Sequence, residues 1–169
     1  GISGVAWTPD ELPKELKAYA HDPKNYGLTW GSSRGWAEGT GQCVDFTESS
    51  AGCLWENGPR VMQGNGNTQA DGWAKAFGTK VSKDPIKAGA VFSTPGPSSA
   101  GHTGIVSHIF KNRDILIIEQ NYSTLSGVYA GKSNTWNYRY IKKSEYEAEG
   151  MTFAAPKDGK PKWDAKSKK

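Results

Sequence analysis

The chain changes its hydrophobic period half-way along, and this limits its fold more than any other feature. Up to about residue 78 the apolar residues recur at helical spacing. Beyond residue 88 they come in short β-branched and aromatic runs. Stretches 88–93, 103–111, 114–120 and 137–141 read as strands. Before them, Thr8-Pro9-Asp10-Glu11 has the form of a helix start, and Leu12, Leu16, Tyr19 and Ala20 continue it to Asp22-Pro23. Residues 42–55 predict a second helix with Val44, Thr47, Ala51 and Leu54 as its core stripe and Phe46 beside it. A shorter helix over 68–77 closes at Gly78. Residues 1–7 read as a loose leader, and 23–41 as a long loop carrying Trp30 and Trp36. Helices followed by hairpin-linked strands predict an α+β fold, with N-terminal helices packed on a C-terminal antiparallel sheet.

With 169 residues, one domain is expected. A chain of this length buries roughly 70% of its unfolded surface without needing staples. No apolar run approaches the roughly 20 residues that span a bilayer, so no membrane insertion is expected. The net charge of +4 is equally local: residues 156–169 hold six Lys and two Asp, and the remaining side chains balance. That leaves no basic face for nucleic acid. The expected boundaries are a folded domain over 1–155 and a Lys-rich linker or flexible tail over 156–169.

The two cysteines, Cys43 and Cys53, fall on one predicted helix, where ten residues separate them by about 15 Å. A disulfide needs Cα atoms about 4.4–6.8 Å apart. Both are therefore expected as free thiols, and no zinc-type spacing is present. Cys43 opens its helix after Gly39-Thr40-Gly41-Gln42, at the positive end of the helix dipole, which favours a thiolate. His102 opens a strand straight after a Pro/Gly/Ser loop, where its ring can face a groove as a proton carrier. His108 lies about 20 Å further along that strand and cannot share the site. His21 reads as a surface residue at a helix end. Glu119 and Asn121 share one face of the following strand. If Asn112-Arg113 is the hairpin turn, paired numbers sum to 225. His102 then shares a face with both groups, with Asn121 as its diagonal neighbour at roughly 7–8 Å and Glu119 one step further. The plain alternative is a buried core cysteine, a structural histidine and two strand-end polar groups.

Taken together and in this order, the residues resemble the CHAP domain, a papain-like cysteine amidohydrolase/peptidase module of Gram-positive peptidoglycan hydrolases and phage lysins. The resemblance runs from about Leu12 to Tyr140. It rests on Gly41-Gln42-Cys43-Val44, Gly101-His102-Thr103-Gly104-Ile105-Val106 and Ile118-Glu119-Gln120-Asn121. It implies Cys43 as nucleophile and His102 as base, with Glu119 and Asn121 behind the imidazole and Gln42 as an oxyanion donor beside the Cys43 N–H. It also implies cleavage of a wall amide by an endopeptidase or an N-acetylmuramoyl-L-alanine amidase. The expected partner is bacterial peptidoglycan, with room for a neighbouring wall-binding domain beyond the tail, and the protein is expected to be secreted or cell-wall associated, or borne by a phage or conjugative element. Some members carry an Asp-rich calcium loop before the cysteine. Here residues 34–40 hold one acid and an arginine, so neither metal nor cofactor is expected. The alternatives are a non-catalytic wall-binding module and a thiol amidase acting on a non-wall amide.

Overall fold

A computed structural model describes residues 5–22, 42–55, 64–122 and 136–163, apart from the side chains of Asp45, Ser49 and Cys53. Its elements are β1 (Ala6–Trp7), α1 (Cys43–Leu54), α2 (Gln69–Phe77), β2 (Val91–Thr94), β3 (His102–Ile109), β4 (Ile115–Glu119), β5 (Asn137–Ile141), α3 (Lys143–Glu149) and β6 (Thr152–Ala154). The strands form one antiparallel sheet in the order β1-β5-β4-β3-β2-β6. The fold is α+β, as expected from the sequence. Every residue of β4 is buried, which fits its unbroken Ile115-Leu116-Ile117-Ile118 run in mid-sheet. α1 packs on β3 and β4 through a stripe of Phe46, Thr47, Ser50, Ala51 and Leu54, while Val44 is half-buried. α2 lies against β2 and β6 and ends at Gly78, whose φ of 74° suits glycine.

The predicted first helix is replaced by two 3-10 turns, Pro9–Glu11 and Lys14–Tyr19. The start signal is used: the Thr8 N–H donates to Glu11 Oε1 at 3.2 Å. Pro13 interrupts the run, because the residue before a proline is driven out of helical geometry and Leu12 sits at ψ 128°. The leader is partly structured, since Ala6 and Trp7 pair with Arg139 and Tyr138 as an edge strand. α3 and β6 add elements that the period reading did not contain.

The chain also stays packed beyond residue 155. Pro161 and Trp163 are buried, and the Trp163 ring stacks on His21 at 4.4 Å with planes 10° apart. The His21 backbone is held as well: its N–H donates to Ser107 Oγ at 3.0 Å, and its carbonyl accepts from Tyr138 Oη at 3.2 Å. His21 is thus a half-buried seat for the C-terminal segment rather than a surface residue. The flexible-tail reading fails as far as Trp163. Residues 164–169, the long loop over 23–41 and the stretch read against a calcium loop lie outside the described residues.

The β3–β4 hairpin departs from the expected register by two residues. Pairs near the turn, such as Ile109↔Ile115, sum to 224, and pairs near the site, such as Gly104↔Glu119, sum to 223. One residue is absorbed by the turn. Phe110 and Asp114 close it with a 2.8 Å bond around Lys111-Asn112-Arg113, with Arg113 left-handed at φ 74°. The other is absorbed by a bulge between Val106 and His108. Two single-residue shifts preserve parity, so the shared face of His102 and Glu119 survives.

Candidate active site

Cys43 is the first residue of α1, half-buried and free of any disulfide. The end of β4 pins the start of this helix. Gln120 Nε2 donates to the Gln42 carbonyl at 3.0 Å, and Asn121 Nδ2 donates to Gln42 Oε1 at 3.3 Å. His102 is the first residue of β3 and is buried. Gly66 allows its position: a Cβ there would lie 2.7 Å from His102 Cα. Ser93 ties this glycine in place, donating to the Gly66 carbonyl at 2.6 Å and accepting from the Ala70 N–H at 2.8 Å.

The His102 ring lies between two groups. Nε2 meets Glu119 Oε1 at 2.8 Å, and Cys43 lies near enough to the ring to support its protonated form. With Nε2 occupied, Nδ1 is the nitrogen left for the thiol. Burial alone would lower the basicity of this imidazole. Interaction with Cys43, the Glu119 hydrogen bond and the charges of both groups outweigh it and raise the pKa to about 9.

Glu119 is fully buried and gripped from three directions. Oε1 contacts His102 and accepts from Arg139 Nη2 at 2.9 Å; Oε2 accepts from Arg139 Nε and from Asn137 Nδ2, each at 2.8 Å. Burial pushes this carboxyl up, but the Arg139 charge, the His102 hydrogen bond and the His102 charge pull it down to about 2. Register explains the cluster. Glu119 lies opposite Asn137 and diagonal to Arg139, so all three project from one face. Tyr122 covers the guanidinium, with its ring 3.9 Å from Arg139 Cζ and its hydroxyl 3.3 Å from Nη1.

A groove of about 700 Å³ opens over the thiol and the imidazole. The loop over 94–98 and residues 100–101 line it together with Gln42, Asn121 and Tyr122, and Arg139 and Glu149 also reach its surface. None of the tryptophans among the described residues lines it. Trp55 and Trp73 belong to the core, where Trp55 Nε1 donates to the Gly89 carbonyl at 3.0 Å and Trp73 Nε1 to Gln69 Oε1 at 3.1 Å. His108 is remote, in a ring cluster with Tyr19 and Phe110 at 4.5 and 4.8 Å.

A family model described as the CHAP domain matches residues 28–121, more than half of the chain. The chain belongs to the CHAP domain family. No curated protein matches the sequence. Among solved structures, this CHAP chain is similar to an N-acetylmuramoyl-L-alanine amidase from Staphylococcus aureus. The identity is 16% and the TM-score 0.49, over 69% of this chain and 30% of that one. The chain thus spans less than a third of that neighbour's length.

Gln42, Cys43, His102 and Asn121 line one groove, and Glu119 lies buried behind the imidazole. The order of the two groups behind the imidazole is reversed. Glu119 bonds the ring directly, whereas Asn121 bonds Gln42. The observed register would set Asn121 opposite His102, but its φ of 60° turns the chain out of the strand. Asn137, Arg139 and Tyr122 join the site without being marked by the sequence motifs. The alternation of Asn137 and Arg139 with the large Tyr138 was the available signal, since two polar residues on one face of a buried strand need a partner.

Proposed function

We propose that the protein is a cysteine peptidase or amidase that hydrolyses an amide bond of bacterial peptidoglycan through a thioester on Cys43, working outside the cell membrane. The carrying observation is that Cys43 and His102 share one groove while the His102 ring is bonded from behind by a fully buried Glu119. CHAP membership supports the substrate class. In this reading His102 takes the thiol proton through Nδ1, and Sγ attacks the amide carbonyl carbon. The C–N bond then breaks as His102 delivers that proton to the leaving amine. A water adds to the thioester, gives its proton to His102 and releases the acid, and the thiol regains the proton. The oxyanion is met by the Cys43 backbone N–H at the start of α1 and by the Gln42 side-chain amide, whose orientation Asn121 sets through Oε1.

The test is mass spectrometry of purified peptidoglycan treated with the protein and with Cys43→Ala. The wild type should create new amine and carboxyl ends at one bond type. Those ends name the bond as inside the peptide or at the sugar–peptide link. Cys43→Ala should lose activity by about 10³-fold or more. Intact peptidoglycan after treatment with folded wild type overturns the proposal.

A further inference from the structure

We propose that Arg139 is a positioning residue: its guanidinium fork fixes the plane of the Glu119 carboxylate and keeps it ionised, so that Glu119 can hold His102 as the imidazolium beside Cys43. This rests on the thiol mechanism above and adds a residue to it. Three observations carry it.

The first is geometry. Nε and Nη2 of Arg139 reach Oε2 and Oε1 of Glu119 at 2.8 and 2.9 Å, a two-pronged grip that settles the carboxylate plane. Because Oε1 also meets His102 Nε2, the same grip aims the imidazole.

The second is burial. Glu119 has no exposed surface and Arg139 very little, and Tyr122 lies over the guanidinium. An unpaired carboxylate in such a place would take up a proton rather than stay charged. Arg139 is the permanent cation that prevents this, since His102 must gain and lose its proton in each cycle. The third is placement. β5 supplies Arg139 and Asn137 from one face, and both end on Glu119.

The test reads the thiol without any wall substrate. Alkylation of Cys43 by iodoacetamide is followed from pH 4 to 10, with the label located by peptide mapping so that Cys53 is not counted. Turnover of peptidoglycan is measured alongside. Arg139→Lys keeps a charge but has no fork. It should remain folded, lower the Cys43 alkylation rate and kcat by about tenfold or more, and leave KM within about twofold. Arg139→Gln also loses the charge. The Glu119 carboxyl then rises, and the low-pH limb of alkylation should move up by about one pH unit or more. If Arg139→Gln does not fold, Arg139→Lys alone decides.

Wild-type alkylation and kcat in folded Arg139→Lys overturn the proposal. So does a raised KM at unchanged kcat, which would make Arg139 a substrate contact. A wild-type thiol that alkylates no faster than an ordinary one is a different result, because it overturns the thiol mechanism itself.

Discussion

At the residue scale, one carboxylate carries the electrostatics of the site. Glu119 is one of the groups that lift His102 from its ordinary 6.5 to about 9, against a burial effect pointing the other way. Glu119→Gln removes that support while keeping the shape. The imidazole pKa then falls, and the alkaline fall-off of activity near pH 9 should move to lower pH, with kcat reduced and KM little changed. A pH–rate profile of the variant checks this, and an unmoved alkaline limb removes Glu119 from the mechanism. The same shifts bear on stability. His102, raised on folding, contributes fully below about 6.5 and loses its contribution as pH climbs through 9. Glu119, depressed from 4.5 to about 2, contributes fully above 4.5 and loses its share as pH falls toward 2. Melting temperature should therefore peak between about pH 4.5 and 6.5, and both slopes should flatten in Glu119→Gln.

At the element scale, the site depends on how tightly loops seat the first residue of a helix and the first residue of a strand. Gly66 is the clearest case, since a Cβ would run into His102 backbone atoms rather than a side chain that can swing away. Gly66→Ala should cost about 1–3 kcal/mol by overpacking and reduce activity along with melting temperature. Calorimetry with an activity assay checks both; a fully active, equally stable Gly66→Ala would mean that the turn yields freely.

Most elements around this seat were legible in the sequence. The strand runs, the Cys43 helix and the shared face of His102 and Glu119 all follow from period and parity. The pairing register did not, because it depends on a turn one residue longer than assumed and on a bulge at Ser107 that no local composition marks. Pro13 is legible, and its effect on Leu12 ends the helix that the capping signal starts. Arg139 was hidden for another reason: a strand's sequence shows its own two faces but not its neighbour, and only β4 beside β5 gives that arginine a purpose.

At the scale of the whole molecule, the C-terminal segment is both a structural strap and a carrier of charge. Trp163 is fully buried against His21, whereas Lys157, Lys160 and Lys162 are exposed. These roles separate by mutation. Trp163→Ala should destabilise the fold by about 3–5 kcal/mol, as loss of a large buried aromatic does. Neutralising the three lysines to Gln should leave melting temperature nearly unchanged and weaken low-salt binding to polyanionic cell walls. Equal binding by the neutralised protein at low ionic strength would limit the segment to its strapping role.

The strand order has a consequence for how the molecule opens. The strands that carry His102 and Glu119 sit inside the sheet, hydrogen-bonded on both sides, while the N-terminal edge is only the two-residue Ala6–Trp7 pairing. In deuterium exchange the amides of that edge should be the first of the sheet to trade their protons. Those of Ile105, Val106, Ile117 and Ile118 should wait for the whole fold to open. A protein built this way can lose and regain its border many times while the chemistry at its centre keeps one geometry.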